Sequence, residues 1–159
     1  MRTMAEEPPS FAAGQRLAMT LQLIVVSRPE EWAAYHRIRR TVLFEARGRY
    51  GVYDAEHPDD RDENNCPMLL MRDGQALGTV RFDLLGGDRA GVRLVAIDIG
   101  HQRRGHGRTM MALVEKHAAE RGVSVLELNS APEAVAFYER LGWAMIDADR
   151  EHPLMERRL

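Results

Sequence analysis

Residues 92–128 fix the topology of the chain. An apolar, β-branched run, Val92–Ile99 (VRLVAIDI), passes through a loop holding Gly105 and Gly107 straight into a helical pattern, Gly105–Arg121. Gly122 stops that pattern, and a second apolar run, Val123–Leu128 (VSVLEL), follows at once. Two strands joined by one helix lie parallel, and the crossover is right-handed. Met111, Val114 and Ala118 recur at helical spacing and mark the face that covers the sheet.

The flanking segments read as antiparallel. Upstream, Leu21–Ser27 is a short strand, and Pro29 opens a helix with Ser27 or Arg28 at its cap and Glu30 and Glu31 in its first turn. That helix ends before Gly48, and Arg47–Asn65 reads mainly as polar loop. Pro67–Arg72 and Gln75–Leu85 form a hairpin about Asp73-Gly74, and Gly86, Gly87 and Asp88 make the next turn. Downstream, Pro132–Leu141 is a short helix capped by Ser130, and Ala144–Ile146 with Leu154–Arg158 form a terminal hairpin. The expected order is β-α-(loop)-β-β-β-α-β-α-β-β. That is an α/β (α+β) fold: a mixed sheet, mostly antiparallel, with one parallel pair and helices on both faces. With 159 residues the chain makes one domain over residues 21–159, preceded by a loose extension over residues 1–20.

Charge and cysteine content exclude several classes. Lys plus Arg is 22 against 24 for Asp plus Glu, a net of −2, so bulk charge speaks against a nucleic-acid partner. Lys116 is the only lysine, which leaves arginine as the cation throughout. Arginine's planar fork suits phosphate. The single Cys66 rules out a disulfide framework or a cysteine-zinc cluster, fits a reducing, cytoplasmic setting, and reads as apolar filler. The longest clean apolar run, Leu21–Val26, is too short for a membrane span, and the acidic, proline-bearing start is no signal peptide.

The chemistry concentrates in the loop before the second helix. A helix start offers free N–H groups and partial positive charge. Gly105 and Gly107 let an anion come close to the backbone, and Arg103, Arg104 and Arg108 add full charges beside it. This describes a site for a di- or polyphosphate. A Walker loop would need a lysine that is absent here, and a Rossmann turn would need a glycine where Met110 stands.

The run Gln102-Arg103-Arg104-Gly105-His106-Gly107 resembles the Q/R-x-x-G-x-G/A signature of the GNAT superfamily of acetyl-CoA-dependent N-acetyltransferases. Residues 126–143, LELNSAPEAVAFYERLGW, resemble that family's strand, Asn and "F-Y-x-x-L-G-F" segment, with Trp143 in place of the commoner Phe. The resemblance covers residues 21–158. It implies a parallel pair that splays apart at its C-terminal ends. Pantetheine would lie in the gap against the backbone of Val95, Ala96 and Ile97, and the amides of Arg103, Arg104, Gly105, His106, Gly107 and Arg108 would hold the pyrophosphate. Asn129 falls where the family places a side chain on the cofactor or an active-site water, and Tyr138 where many members keep the general acid.

The resemblance implies direct acetyl transfer from acetyl-CoA to a small-molecule or peptide amine; spacing, apolar run length and charge point to no metal, no membrane and no nucleic acid, and a homodimer is left open. The base is less defined. Glu127 matches the position used as base in ribosomal-protein alanine acetyltransferases, and a solvent-facing or salt-bridged strand residue is the other reading. The upstream Glu of other members is absent, since the sequence there is Gly91-Val92-Arg93. His101 and Asp98 read as structural. The run Asp54–Glu63 has six acids against one arginine and reads either as an attractor for a cationic amine or as a solvated loop. The rival functions are a non-catalytic acyl-CoA-binding module and a nucleotide-phosphate-binding protein.

Overall fold

The computed structural model describes residues 20–159, so all but the last residue of the expected N-terminal extension lies outside the described residues. The elements run β1 (Gln22–Val25), α1 (Pro29–Arg39), a π turn (Arg40–Phe44), 3-10 turns (Glu45–Arg47 and Pro58–Arg61), β2 (Asn65–Arg72), β3 (Gln75–Gly86) and β4 (Arg89–Ile97). A 3-10 turn (Ile99–His101), α2 (His106–Glu120), β5 (Val125–Asn129), a 3-10 turn (Pro132–Ala134), α3 (Val135–Arg140), β6 (Ala144–Asp147) and β7 (Leu154–Arg158) follow. The strands form one sheet in the order β1-β2-β3-β4-β5-β7-β6. Only β4 and β5 pair in parallel; the other neighbours are antiparallel. This is the mixed sheet that the sequence predicts.

Side-chain alternation along β2 shows why its apolar run is unbroken. Met68 and Leu70 join the core under α2, with Met110, Met111, Val114 and Ala118 from the helix. Leu69, between them, points the other way and joins Tyr35 and Ile38 of α1. A strand buried on both faces has no polar side to show. Tyr138 and Trp143 close the α2 side of the core at its far end.

Element ends are set by local chemistry. Asp73 and Gly74 both take positive φ, 50° and 75°, the geometry of a tight hairpin turn. The Glu31 carboxylate accepts from the amides of Ser27 at 3.0 Å and Arg28 at 2.9 Å, which makes Arg28 the N-cap of α1. Those amide bonds draw the Glu31 pKa from 4.5 down to about 2. Two expectations change. The strand expected at Val92–Ile99 starts at Arg89 and ends at Ile97, because the Asp98 carboxylate accepts from the Ile99 amide at 3.0 Å and turns the chain. Ser130 is not a helix cap: its hydroxyl donates to the Ala131 carbonyl at 2.7 Å, and Pro132 begins the turn instead. No helix among the described residues is long and apolar enough to cross a membrane.

Candidate active site

The parallel pairing is brief. Arg89, Ala90 and Gly91 face Val125, Leu126 and Glu127, and there it stops. Beyond that point β5 follows β7 as far as Asn129, while β4 stays with β3 as far as Ile97. One edge of β4 is therefore open from Val92 to Ile97. The cause is a bulge. Arg93 lies opposite Arg81 and Ala96 opposite Thr79, so β4 places two residues, Leu94 and Val95, against the single Val80. Leu94 sits at φ 54°. A left-handed leucine costs on the order of 1–2 kcal/mol, and a bulge bends the strand that carries it.

The open edge has defined polarity. The Asp98 amide donates to the Leu77 carbonyl at 2.8 Å. By alternation the peptide groups of Ala96 face β3, and those of Val95 and Ile97 face the gap. Of the three residues expected to offer backbone to a ligand, Val95 and Ile97 turn their peptide groups to the gap, whereas those of Ala96 face β3 and its side chain is buried on the α1 side. The Ile97 carbonyl already accepts from Gln102 Nε2 at 3.0 Å.

At the end of this edge the glycine loop opens α2. Arg103 and Gly105 both take positive φ, 61° and 80°, and Gly105 is the N-cap. The Thr109 amide bonds back to the Gly105 carbonyl at 3.1 Å, which leaves the preceding amides as free donors at the positive helix end. The side chains of Arg103, Arg104 and Arg108 are exposed and have no acidic partner among the described residues. His106 is buried, and burial, then the charge of Arg72, lowers its pKa and favours the neutral ring. A Cβ on Gly107 would lie 3.3 Å from Phe137 Cζ and 3.8 Å from Ile97 Cγ1. The glycine thus lets α2 start close against Phe137 of α3 and Ile97 of β4.

Where the strands part lies a cleft of about 800 Å³. Val92–Val95 of β4, Leu128 and Asn129 of β5, and Tyr138 of α3 line it. Tyr138 is 6% exposed and packs edge-on to Phe137 and Trp143. Its hydroxyl has no protein partner among the described residues. Burial pushes its pKa up to about 12, so it stands as a proton donor at neutral pH. Glu127 is placed differently. Its carboxylate lies 3.2 Å from Arg89 Nη2 and 3.5 Å from Arg93 Nη2, and it is not among the residues lining the cleft. Its position matches the salt-bridged reading of this residue.

The rest of the cleft comes from residues that no sequence motif marks. After α1 the helix widens: the Glu45 amide reaches back to both Arg40 and Thr41 carbonyls. Such π turns recur at functional sites. Here the turn carries Leu43 and Phe44 to the cleft, with Arg47 and Arg49 close behind in sequence. Beside it lies a buried ion cluster. Arg39 Nη1 lies 2.8 Å from both Asp60 oxygens. Arg81 grips Asp83 through two bonds of 2.8 and 2.9 Å and reaches Asp60 at 3.4 Å. All four residues are at most 7% exposed. Asp60 is thus spent within the protein, and Asp54 and Asp62 accept from their own loop amides. From the acidic run, only His57 and Asp59 reach the cleft; Glu151 and His152 join them from the β6–β7 loop. No group of three or more potential ligands among the described residues is placed to hold a metal.

Comparison with known proteins agrees with this geometry. The model of the acetyltransferase (GNAT) family matches residues 31–143. The uncharacterized N-acetyltransferase YjcF of Bacillus subtilis (strain 168) is 30% identical over 93 residues, 58% of this chain and 66% of that protein, just under two thirds of its length. A GNAT-family acetyltransferase from Staphylococcus aureus Mu50 superposes with a TM-score of 0.74 at 14% identity, over 88% of this chain and 99% of its own. The PaiA N-acetyltransferase of Thermoplasma acidophilum, solved in complex with coenzyme A, gives a TM-score of 0.70 at 14% identity, over 89% and 100%.

Proposed function

The chain belongs to the GNAT acetyltransferase family, and from that premise we propose that it is an N-acetyltransferase moving an acetyl group from acetyl-CoA directly to a primary amine. The observation that carries this reading is a conjunction. The β4 edge left unpaired beyond Gly91 runs from the cleft, where Tyr138 presents a hydroxyl with no protein partner among the described residues, toward the free-amide start of α2. In this proposal the amides of Arg103–Arg108 and the free guanidinium groups bind the pyrophosphate. Val95 and Ile97 align the pantetheine, with Gln102 yielding or sharing the Ile97 carbonyl, and Asn129 holds the thioester end.

The amine nitrogen attacks the thioester carbonyl, the C–S bond breaks, and the Tyr138 hydroxyl gives its proton to the leaving thiolate. The attacking nitrogen loses one proton. His152 lines the cleft and is the imidazole available to receive it, directly or through water, since His57 Nδ1 already accepts from the Asp59 amide at 3.2 Å. No enzyme-bound acyl intermediate is needed, because the thioester is already activated.

A second reading, a non-catalytic acyl-CoA-binding module, is favoured by one feature: the Glu127 carboxylate is engaged by Arg89 and Arg93 instead of facing the cleft. Two measurements test the readings. Acetyl-CoA should raise the melting temperature, by about 2.7 kcal/mol of stabilisation at 100 times Kd, and ATP and NAD should not. An amine panel with thiol detection should then release CoA; binding without release would leave the module. A larger shift with ATP than with acetyl-CoA would overturn both.

A further inference from the structure

The acceptor side of the cleft is rich in arginine, and its charges are unequally satisfied. Five guanidinium groups line it, from Arg39, Arg47, Arg49, Arg81 and Arg93, against the carboxylates of Asp59 and Glu151. Arg39 and Arg81 are neutralised inside the protein by Asp60 and Asp83. Arg47 meets Glu133 at 3.0 Å on the surface. Arg49 has no carboxylate partner among the described residues; its guanidinium lies over the Phe44 ring, 4.8 Å from the centroid. Arg93 touches only Glu127, at 3.5 Å, and shares it with Arg89. Its Nη1 is buried with no acceptor. Gly91 permits this pose, since a Cβ there would stand 2.7 Å from the Arg93 guanidinium carbon.

A cationic amine without an acid would meet mostly like charge on this wall: of its two carboxylates, Asp59 lies 3.8 Å from Arg81 Nη2 and Glu151 alone has no partner among the described residues. A carboxylate on the acceptor reverses the balance and gives two partly unsatisfied forks an anion they fit. We propose that the acceptor is an amino acid, whose amine takes the acetyl group while its carboxylate is held by Arg93 and Arg49. The inference rests on the acetyltransferase reading above. The transfer is balanced as written there: an N–C bond forms, the C–S bond breaks, one proton leaves the nitrogen and one reaches the thiolate, and the carboxylate is unchanged.

The test uses the full chain and matched sets: the common amino acids, their carboxamides and their decarboxylated amines. Turnover is read by CoA release. In parallel, binding of the N-acetyl amino acids and their N-acetyl amides is measured on the CoA-loaded protein, which requires no turnover. The expected result is that at least one acid exceeds its amide and its amine by about 10- to 100-fold in kcat/KM, and its N-acetyl acid the N-acetyl amide by a similar factor in affinity. Arg49→Gln, on an exposed side chain with no acidic partner, should reduce that preference to near unity while the acetyl-CoA melting shift persists; Arg93→Lys should weaken it. Amides or amines equal to or better than every acid in both assays would overturn the inference and leave the acetyltransferase reading intact. Absence of an acetyl-CoA melting shift and of CoA release with every amine would instead overturn the acetyltransferase reading.

Discussion

The two ends of the groove are made of different material. At the start of α2 the free donors are backbone amides, held by a few consecutive residues around Gly105 and flanked by the exposed Arg103, Arg104 and Arg108. At the acceptor end they are side chains drawn from Arg39 to His152, brought together only by the fold. A backbone site depends on conformation, so glycines define it and few substitutions suit it. A side-chain site depends on chemistry and can change residue by residue without touching the scaffold. The two regions therefore answer to different kinds of substitution.

The largest expected effect falls on the backbone end. Gly107→Glu should remove acetyl-CoA binding altogether, because its side chain would press on Phe137 and Ile97 and set a negative charge next to the pyrophosphate amides. Calorimetry should show no heat of binding while circular dichroism stays native. Unchanged CoA affinity would place the anion site elsewhere.

Between the two ends stands Tyr138. Tyr138→Phe keeps the ring and its aromatic contacts and removes the acid, so kcat should fall by roughly 10²–10⁴ with cofactor Kd nearly constant. Wild-type turnover in this variant would make water the proton source and reduce Tyr138 to a core aromatic.

On the acceptor side the ion cluster supplies the stiffness that the backbone supplies elsewhere. Asp60→Asn should leave Arg39 and Arg81 short of countercharge and destabilise the fold by about 3–5 kcal/mol, read by urea denaturation. A loss below about 1 kcal/mol, within the range of an exposed pair, would show that the cluster is solvated and not a scaffold.

The smallest effect falls on the cap of α1, whose Glu31 does not line the cleft. Glu31 has a lowered pKa in the folded state, so its contribution is full above about 4.5 and disappears as pH falls through about 2. Glu31→Gln should therefore flatten the acid limb of the stability curve in that window and leave groove affinities unchanged. An acid limb identical to that of the wild type would show that the cap carries no linkage.

The same contrast explains what the sequence made legible. The crossover, the hairpins and the glycine loop are encoded by neighbouring residues, so periodicity and turn chemistry point to them directly. Asn129 and Tyr138 fall on the cleft because the segment carrying them follows the crossover at short range. The open edge was expected, but its cause was not: VRLVAI contains no glycine or asparagine to mark a left-handed position, and Leu94 adopts one under the pull of its neighbours. The expected boundary slipped at Ile99 because one aspartate side chain, Asp98, turns the chain. The acceptor wall was illegible for a different reason. Asp60 looks like any acid of a polar loop until Arg39 and Arg81 close on it, and nothing local to Arg49 or Arg93 shows that they share a cavity.

The bulge at Leu94 also has an evolutionary reading. Removing that single residue would leave Val92 opposite Phe82 and Ala96 opposite Thr79, as they are now, so the ladder to β3 would simply heal. The shortened chain would lose a strained leucine and the bend it imposes, and its parallel strands would be free to continue side by side. Selection for robustness alone would favour that deletion. The extra residue thus exchanges local backbone strain for a gap in the sheet.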